Sequence, residues 1–198
     1  MKKGGRFEEL EGLVRRNRSC RRFFEKEKIE RETLEKLVNL ARLSPSGANL
    51  QPLKFILSHT AERNEKIFNT LSWAGYLPAW GGPKPGERPS AYVVILCDKT
   101  IRATVSCDHG IAAQSIMLGA AALDLGGCMI GSIRREELRK ALGIDEKYEV
   151  LLVLALGRPR EKVVLEGLPV DGSIQYYRDK DGVHHVPKRS LEDLIIGF

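Results

Sequence analysis

The stretch DHGIAAQSIMLGAAALDLG, residues 108–126, restricts the possible folds of this chain more than any other segment. Small or apolar residues occupy every side of the helix that it predicts, so that helix must be buried all round. Gln114, Ser115 and Asp124 interrupt the apolar run, which falls short of the roughly 20 apolar residues that a membrane-spanning helix needs. We therefore predict a buried helix at a domain or dimer centre, with Asp108 as its N-cap.

Two continuous apolar segments predict strands that are buried on both faces of a sheet: AYVVILCD at residues 91–98 and YEVLLVLALG at residues 148–157. Shorter strands are predicted at residues 54–58 and within residues 127–133. The spacing of apolar residues predicts further helices at residues 7–16, 30–43, 61–71 and 135–143. The last forty residues are polar and mixed, and no element is assigned to them.

The composition is that of one domain, residues 1–198. A chain of 198 residues with 42% hydrophobic content can bury one core of ordinary size. There are 32 Lys and Arg against 26 Asp and Glu, so the formal charge of +6 favours anionic ligands, either phosphate groups or a polyanion. The four cysteines show no CxxC pair, and the sequence does not start with a signal-peptide pattern. We therefore expect reduced cysteines in a cytoplasmic protein.

Residues 72–90 predict a lid-like loop. The segment holds four prolines, four glycines and both tryptophans. Long loops without secondary structure in compact domains are usually lids or binding loops. Trp73, Tyr76 and Trp80 are candidates for a substrate-facing wall, and a hydrophobic satellite cluster is the alternative interpretation.

The densest local signal is RRNRSCRRF, residues 15–23, which carries five arginines in eight residues and no acid. Guanidinium groups bind phosphate oxygens in bidentate fashion, so the segment suits a phosphomonoester or a pyrimidine carbonyl edge. A solvated basic loop and a nucleic-acid contact are the alternatives. The chain contains no GxGxxG, GxxxxGK[ST], HExxH or GxSxG motif, which argues against Rossmann, P-loop, zincin and α/β-hydrolase chemistry.

Several motifs together resemble the FMN-dependent nitroreductase family in identity and in order. They are RSCRRF (18–23), SPSGANLQPLKF (44–55), DHGIAAQSIMLGAAALDLGGCMIG (108–131), LLVLALGRP (151–159) and PKRSLEDLI (187–195). The resemblance implies an α+β fold, a three-layer sandwich in which helices flank a mixed, mostly antiparallel sheet. It also implies an intertwined homodimer with FMN at the interface.

By this resemblance, Arg18 and Ser19 contact the FMN phosphate, and Arg21 lies at the N1/C2 carbonyl edge of the flavin. A cation there stabilises the negative charge that two-electron reduction builds on the ring. Asn17 stands where the family often has another arginine, so phosphate affinity is weaker or Arg16 compensates. The last phosphate-contacting position matches Lys188 or Arg189, with a surface ion pair to Glu192 as the competing explanation.

Two further groups follow from the resemblance. Pro45, Ser46, Gly47 and Asn49 contact a flavin that is bound mainly by the partner chain. Ile130 and Gly131 act through main-chain N–H groups that face N5 and O4 of the flavin. A side chain at Gly131 would block close approach of the ring.

The function implied is an NAD(P)H oxidoreductase that reduces electron-poor acceptors, such as nitroaromatics, quinones or enones, by ping-pong transfer. The sequence does not decide between NADH and NADPH, and no catalytic side chain is required. Other chemistry on the same fold, such as reductive dehalogenation, flavin fragmentation or use of a different donor, stays open. A basic nucleic-acid-binding module is the remote alternative, and neither a nucleic-acid nor a membrane partner is expected. The adjacent His184 and His185 point to opposite faces of an extended strand, which argues against a shared metal site.

Overall fold

The computed structural model describes residues 4–197, which form five α-helices and seven β-strands. The helices are α1 (Gly4–Arg16), α2 (Arg31–Leu43), α3 (Ala61–Phe68), α4 (Asp108–Ala122) and α5 (Arg135–Leu142). The strands are β1 (Leu53–Ser58), β2 (Ala91–Asp98), β3 (Gly126–Ile130), β4 (Tyr148–Gly157), β5 (Val163–Gly167), β6 (Tyr177–Arg178) and β7 (His184–Lys188). The two strongly apolar strands, β2 and β4, lie where their sequence predicts them.

The central sheet has the strand order β1-β2-β4-β3, and all of its pairs are antiparallel. Every residue of β2 is buried, as its continuous apolar sequence predicts for a strand with neighbours on both edges and layers on both faces. The register of β2 against β4 shifts between Ile95 and Leu96.

Helices cover both faces of this sheet and produce three layers. On one face α2 and α4 pack over side chains of β2 and β4, including Val93, Ile95 and Leu154. On the other face Ile67 of α3 and Leu138 of α5 pack with the alternate strand residues. The alternation follows from the two-residue period of a strand. The expected three-layer α+β architecture is confirmed.

The C-terminal region forms a second sheet that the sequence did not predict. Its order is β5-β7-β6, with a parallel β5–β7 pair and an antiparallel β6–β7 pair. The strands are short, and most of their residues are half-buried or exposed, so they carry no continuous apolar run. We expected one mixed, mostly antiparallel sheet. The central sheet is fully antiparallel, and the parallel pair lies in the separate C-terminal sheet.

Helix α4 is buried on one side only within the single chain. Ala113, Ile116 and Ala120 are fully buried, whereas Gln114 and Ala122 are exposed. The prediction of Asp108 as N-cap was wrong, because Cys107 occupies that position and the Asp108 side chain makes other contacts. Among residues 4–197, no helix is long and apolar enough to cross a membrane.

Candidate active site

A cavity of about 250 Å³ brings together four of the predicted site residues, Arg18, Ser19, Arg21 and Lys188. The Arg-rich loop lies beside β3, since the Cys20 N–H donates to the carbonyl of Gly127 at 2.8 Å. Strand β7 closes the cavity from the C-terminal sheet. The other lining residues are Asn17, Gln114, Met117, Gly127, Met129, Tyr176, His184 and Val186.

The Arg21 guanidinium is a buried cation in this cavity, with 8% of the residue exposed. Its Nη1 donates to the carbonyl of Ser19 at 3.3 Å and lies 3.2 Å from Nε2 of His184. Its plane lies over the Tyr176 ring, 4.8 Å from the ring centroid. No carboxylate forms an ion pair with Arg21 within residues 4–197. Buried charges without a counter-charge are costly, so this cation favours an anionic ligand.

His184, the neighbour of Arg21, is 1% exposed. Burial is the main cause that lowers the pKa of His184 to about 4, and the positive charge of Arg21 adds to it. The imidazole is therefore neutral at ordinary pH. A neutral ring that accepts from Arg21 through Nε2 carries its proton on Nδ1, and Nδ1 is buried without a hydrogen-bond partner.

Glu161 fixes the backbone of the Arg-rich loop. Its carboxylate accepts from the main-chain N–H groups of Arg21 and Arg22. Its second oxygen accepts from Nη2 of Arg178 at 2.8 Å, and the Glu161 side chain is fully buried. Because Arg178 balances this carboxylate, the charge on the Arg21 side chain remains uncancelled.

The remaining basic residues separate into those inside the cavity and those outside. Arg18 donates to the carbonyl of Val14 at 2.8 Å, its Nε is buried without a partner, and burial lowers its pKa. Lys188 lines the cavity and is exposed, whereas Arg189 is exposed outside the lining. Arg16 contacts Asp124 at 3.3 Å and does not line the cavity, whereas Asn17 does.

The segment Pro45 to Asn49 lies at a second cavity, of about 180 Å³, which shares no lining residue with the first. Asp108 holds this segment in place. Its carboxylate accepts from the Ser46 hydroxyl at 2.6 Å and from the Gly47 N–H at 3.1 Å. The Ser46 hydroxyl bond is the largest cause of the lowered pKa of Asp108. Pro45 and Ser46 line the cavity, while Asn49 is exposed beside it in a left-handed conformation with φ 55°.

Strand β3 contributes the next pair of predicted residues. Ile130 is buried in the core, and Gly131, which follows the strand, is exposed. A Cβ atom built on Gly131 meets no atom of the described residues within 4 Å, apart from those of its two chain neighbours. The space above this glycine is therefore open to a ligand.

The three aromatic residues of the predicted lid lie in different surroundings. Trp73 packs on Phe68 at 5.8 Å between ring centroids and is partly buried against the core cluster on the α3 side. Tyr76 is exposed and packs on Tyr176 at 5.0 Å, and its N–H donates to the Tyr176 hydroxyl. Trp80 lies under the Arg178 guanidinium at 4.2 Å. The loop thus contacts the C-terminal sheet next to the Arg21 cavity.

The family model "Nitroreductase family" matches residues 14–78 and 86–158 of this sequence. The chain belongs to the nitroreductase family. A relative from Archaeoglobus fulgidus, provisionally named an NADH dehydrogenase/NAD(P)H nitroreductase, is 29% identical over 163 residues, or 78% of this chain and 88% of the relative. The 5,6-dimethylbenzimidazole synthase of Rhodospirillum rubrum is 25% identical over 166 residues, 71% of this chain and 78% of that protein.

Solved structures of nitroreductases share the fold. The FMN-dependent nitroreductase of Clostridium difficile R20291 superposes with a TM-score of 0.61 at 28% identity, covering 76% of this chain and 88% of that one. The expected family and fold class are thus confirmed. The family model does not extend to residues 159–198, where β5, β6 and β7 lie.

Sequence reasoning missed three residues that line the Arg21 cavity or hold its Arg-rich loop: Glu161, Tyr176 and His184. All three lie in or next to the C-terminal sheet, at or beyond the end of the family match. A signal existed for His184, since alternation along an extended strand places it opposite His185. Nothing in the local sequence connected it with Arg21, which is 163 residues away.

Proposed function

We propose that this nitroreductase is a homodimeric, FMN-dependent NAD(P)H oxidoreductase. The observation that carries the proposal is Arg21, a buried guanidinium without a carboxylate partner in a cavity that Arg18 and Lys188 also line. Three cations and no acid in that lining suit a dianionic phosphate and the electron-rich edge of a flavin. The C. difficile relative is named as FMN-dependent, which agrees with this assignment.

The residues of the cavity fit the groups of FMN as follows. Arg18, Ser19 and Lys188 would hold the phosphate, and Arg21 would lie at the N1/C2 edge. When bound, FMN supplies the two-electron chemistry between NADH or NADPH and an electron-poor acceptor such as a nitroaromatic, quinone or enone. Arg21 would stabilise negative charge on the bound ring, while Ile130 and Gly131 would offer main-chain groups at the end of β3.

Within residues 4–197, the two thiols closest to the Arg-rich loop in the chain or the fold, Cys20 and Cys128, are not activated. Cys20 belongs to the Arg-rich loop and Cys128 lies on β3 beside it, and burial is the first cause that raises the pKa of each thiol, to about 12 for Cys20. A protonated buried thiol is a poor nucleophile. The cavity therefore suits binding and charge stabilisation, with the redox chemistry left to the flavin.

A homodimer accounts for the separation of the predicted residues into two cavities. Pro45, Ser46 and Gly47 lie with Asp108 at one cavity, and the Arg21 group lines the other. One flavin contacts both groups when a second chain supplies the first of them. The exposed side of α4, together with Phe7 and Leu10 of α1, offers an apolar surface for that second chain.

A second candidate is a flavoprotein of the same fold with different chemistry. The relative named 5,6-dimethylbenzimidazole synthase supports this second candidate, because that relative is not named as a nitroreductase. The same cavity would serve both functions, and the electron donor distinguishes them.

The first test is a visible absorption spectrum of the purified protein with added FMN, followed by anaerobic addition of NADPH and then NADH. We expect flavin bands that bleach with at least one nucleotide. Bound flavin that neither nucleotide bleaches would favour the second candidate. Failure to bind FMN would refute both.

The matched variants are Arg21→Ala and Arg31→Ala. Loss of a charge-assisted contact costs about 1.5–3 kcal/mol, so Arg21→Ala should weaken FMN binding about 10- to 100-fold. Arg31 pairs with Glu35 on the exposed side of α2, and its removal should leave FMN affinity unchanged. Equal affinities in the two variants would remove Arg21 from the site.

A further inference from the structure

We propose that His184 is a positioning residue, which holds the Arg21 guanidinium at the cofactor cavity as a neutral acceptor and leaves its positive charge uncancelled. The expected effect of His184 on FMN binding rests on the proposed function, whereas the contact between His184 and Arg21 does not. The geometry is the 3.2 Å contact between His184 Nε2 and Arg21 Nη1 inside the 250 Å³ cavity.

Arg21 is held from three directions by groups that carry no charge. Nη1 contacts the Ser19 carbonyl and the His184 ring, and the Tyr176 ring covers the guanidinium plane. The Tyr176 ring also packs against His184, with 5.2 Å between centroids. These contacts fix the guanidinium before any ligand arrives, which reduces the cost of ordering it on binding.

The surroundings of His184 keep it neutral. Burial disfavours the imidazolium, Arg21, Arg178 and His185 disfavour it further, and Glu161 opposes them. Tyr176 is the other ionisable side chain packed on the ring, from the segment before β6. A neutral ring can accept from Arg21, whereas an imidazolium would have no acceptor and would repel the guanidinium.

Stability alone does not explain a histidine at this position. Its Nδ1 is buried without a partner, and an unsatisfied buried donor is destabilising relative to an apolar side chain. A carboxylate would pair better with Arg21, but it would cancel the charge that an anionic ligand needs. A neutral acceptor meets both requirements of the site, orientation and retained charge.

The first experiment uses the apoprotein and does not depend on FMN. Long-range ¹H–¹⁵N NMR of the labelled protein reports the tautomer and titration of each histidine, and His184→Gln assigns the signal. We expect a neutral ring with its proton on Nδ1 that resists protonation down to about pH 4. A ring that titrates near 6.5, or one protonated on Nε2, would overturn the inference.

The second experiment compares His184→Gln, His184→Leu and His184→Glu, each measured for thermal stability and for FMN affinity. Glutamine keeps a neutral acceptor, so affinity should stay within about threefold of the wild type. Leucine removes the acceptor, and glutamate adds a counter-charge to Arg21. We expect about a tenfold loss for leucine and a larger loss for glutamate, although the new ion pair makes the glutamate variant at least as stable as the leucine variant.

A merely structural role predicts that affinity follows stability across the three variants, and this result would refute the proposal. Wild-type affinity in His184→Leu would refute it as well. If His184→Glu does not fold, the glutamine and leucine variants still decide the question. If the wild type binds no FMN, the proposed function fails, and the NMR experiment alone decides whether His184 holds Arg21.

Discussion

Asp108 joins the start of α4 to the segment at Ser46 and Gly47. These two residues precede Asp108 by 62 and 61 positions in the sequence. Asp108 is buried, with 4% of the residue exposed. Its carboxylate accepts hydrogen bonds from the Ser46 hydroxyl and the Gly47 N–H. Ser46 in turn accepts from the Gln51 N–H at 3.0 Å. Ala48, Asn49 and Gln51 all have positive φ, so the segment is strained and depends on such contacts.

We predict that Asp108→Asn loosens this segment. Two charge-assisted hydrogen bonds lose strength, and hydrogen bonds to charged groups contribute about 1.5–3 kcal/mol each, so unfolding should become easier by about 1–3 kcal/mol. Chemical denaturation measures the loss, and amide exchange at Gly47 should become faster. Asp124→Asn is the control, because Asp124 is exposed beyond the other end of α4 and its contact with Arg16 is also exposed. Equal losses in the two variants would contradict the assigned role of Asp108.

At the scale of elements, the His185 side chain on β7 connects both sides of the C-terminal sheet. Its Nδ1 lies 2.9 Å from Glu166 on β5, and its Nε2 lies 3.1 Å from Asp179 after β6. Its ring stacks on Tyr177 at 4.7 Å. The hydrogen bond to Asp179 is the first cause of a raised pKa of His185, and Glu166 is the second. The hydrogen bond between His185 and Asp179 also lowers the pKa of Asp179.

These two pKa shifts predict how stability depends on pH. The raised pKa of His185 gives a contribution that is fully present below about pH 6.5 and is lost as pH rises through the folded-state pKa. The lowered pKa of Asp179 gives a contribution that is present above about pH 4 and is lost as pH falls through its folded-state pKa. The contact between His185 and Asp179 should therefore contribute most to stability at pH values between about 4 and 6.5. Thermal melts from pH 4 to 9 should show the decline at the alkaline side in the wild type.

His185→Gln should remove that decline, and His59→Gln should retain it. The His59 variant controls for the general effect of losing one titratable imidazole. Identical pH profiles for the wild type and His185→Gln would show that His185 does not couple the sheet to pH.

Two glycines at β3 differ in the space around them, and we expect different effects when each is replaced by alanine. A Cβ atom on Gly127 would lie 2.3 Å from the carbonyl oxygen of Ala155, which cannot move without disturbing the β3–β4 pair. A Cβ atom on Gly131 meets nothing within 4 Å. We predict that Gly127→Ala lowers stability by about 1–3 kcal/mol or more, whereas Gly131→Ala leaves it unchanged.

Gly131→Ala should instead weaken FMN binding, because its methyl group fills the open space above the end of β3. Chemical denaturation and FMN titration of both variants measure the two effects separately. A stable Gly127→Ala protein would disprove the packing argument. Unchanged FMN affinity in Gly131→Ala would remove that glycine from the site.

The elements differ in how far the sequence predicts them, and burial explains the difference. Strands β2 and β4 pack on both faces, so their sequences are continuously apolar and their ends coincide with the prediction. Strands β5 to β7 are short and mostly half-buried or exposed, so no periodic signal marks them. Contacts such as Asp108 with Ser46 join distant segments, and only the folded chain reveals them.

At the scale of the whole molecule, six of the predicted site residues line two separate cavities, and apolar side chains remain exposed. Phe7 and Leu10 of α1 are 69% and 49% exposed, and Leu194 and Ile196 near the C-terminus are 64% and 83% exposed. Phe7 and Leu10 lie three residues apart on α1 and so share one side of that helix, and exposed apolar patches of this kind mark interaction surfaces. The resemblance to a dimeric family was read from sequence motifs, whereas this surface is visible only after folding.

We predict that dimer formation and FMN binding are linked, and that Phe7→Lys with Leu10→Lys weakens both. Burying each side chain contributes about 1.5–3 kcal/mol, so the double variant should raise the dimer dissociation constant at least about a hundredfold. If each flavin contacts both chains, FMN affinity must fall as the dimer dissociates, and added FMN must tighten the dimer. Sedimentation velocity over a dilution series, with and without FMN, measures both. Val170→Lys is the control, since Val170 is fully exposed outside the helices. A monomeric double variant that binds FMN as tightly as the wild type would show that one chain holds the whole site, and Pro45 to Asn49 would then have no part in binding the flavin.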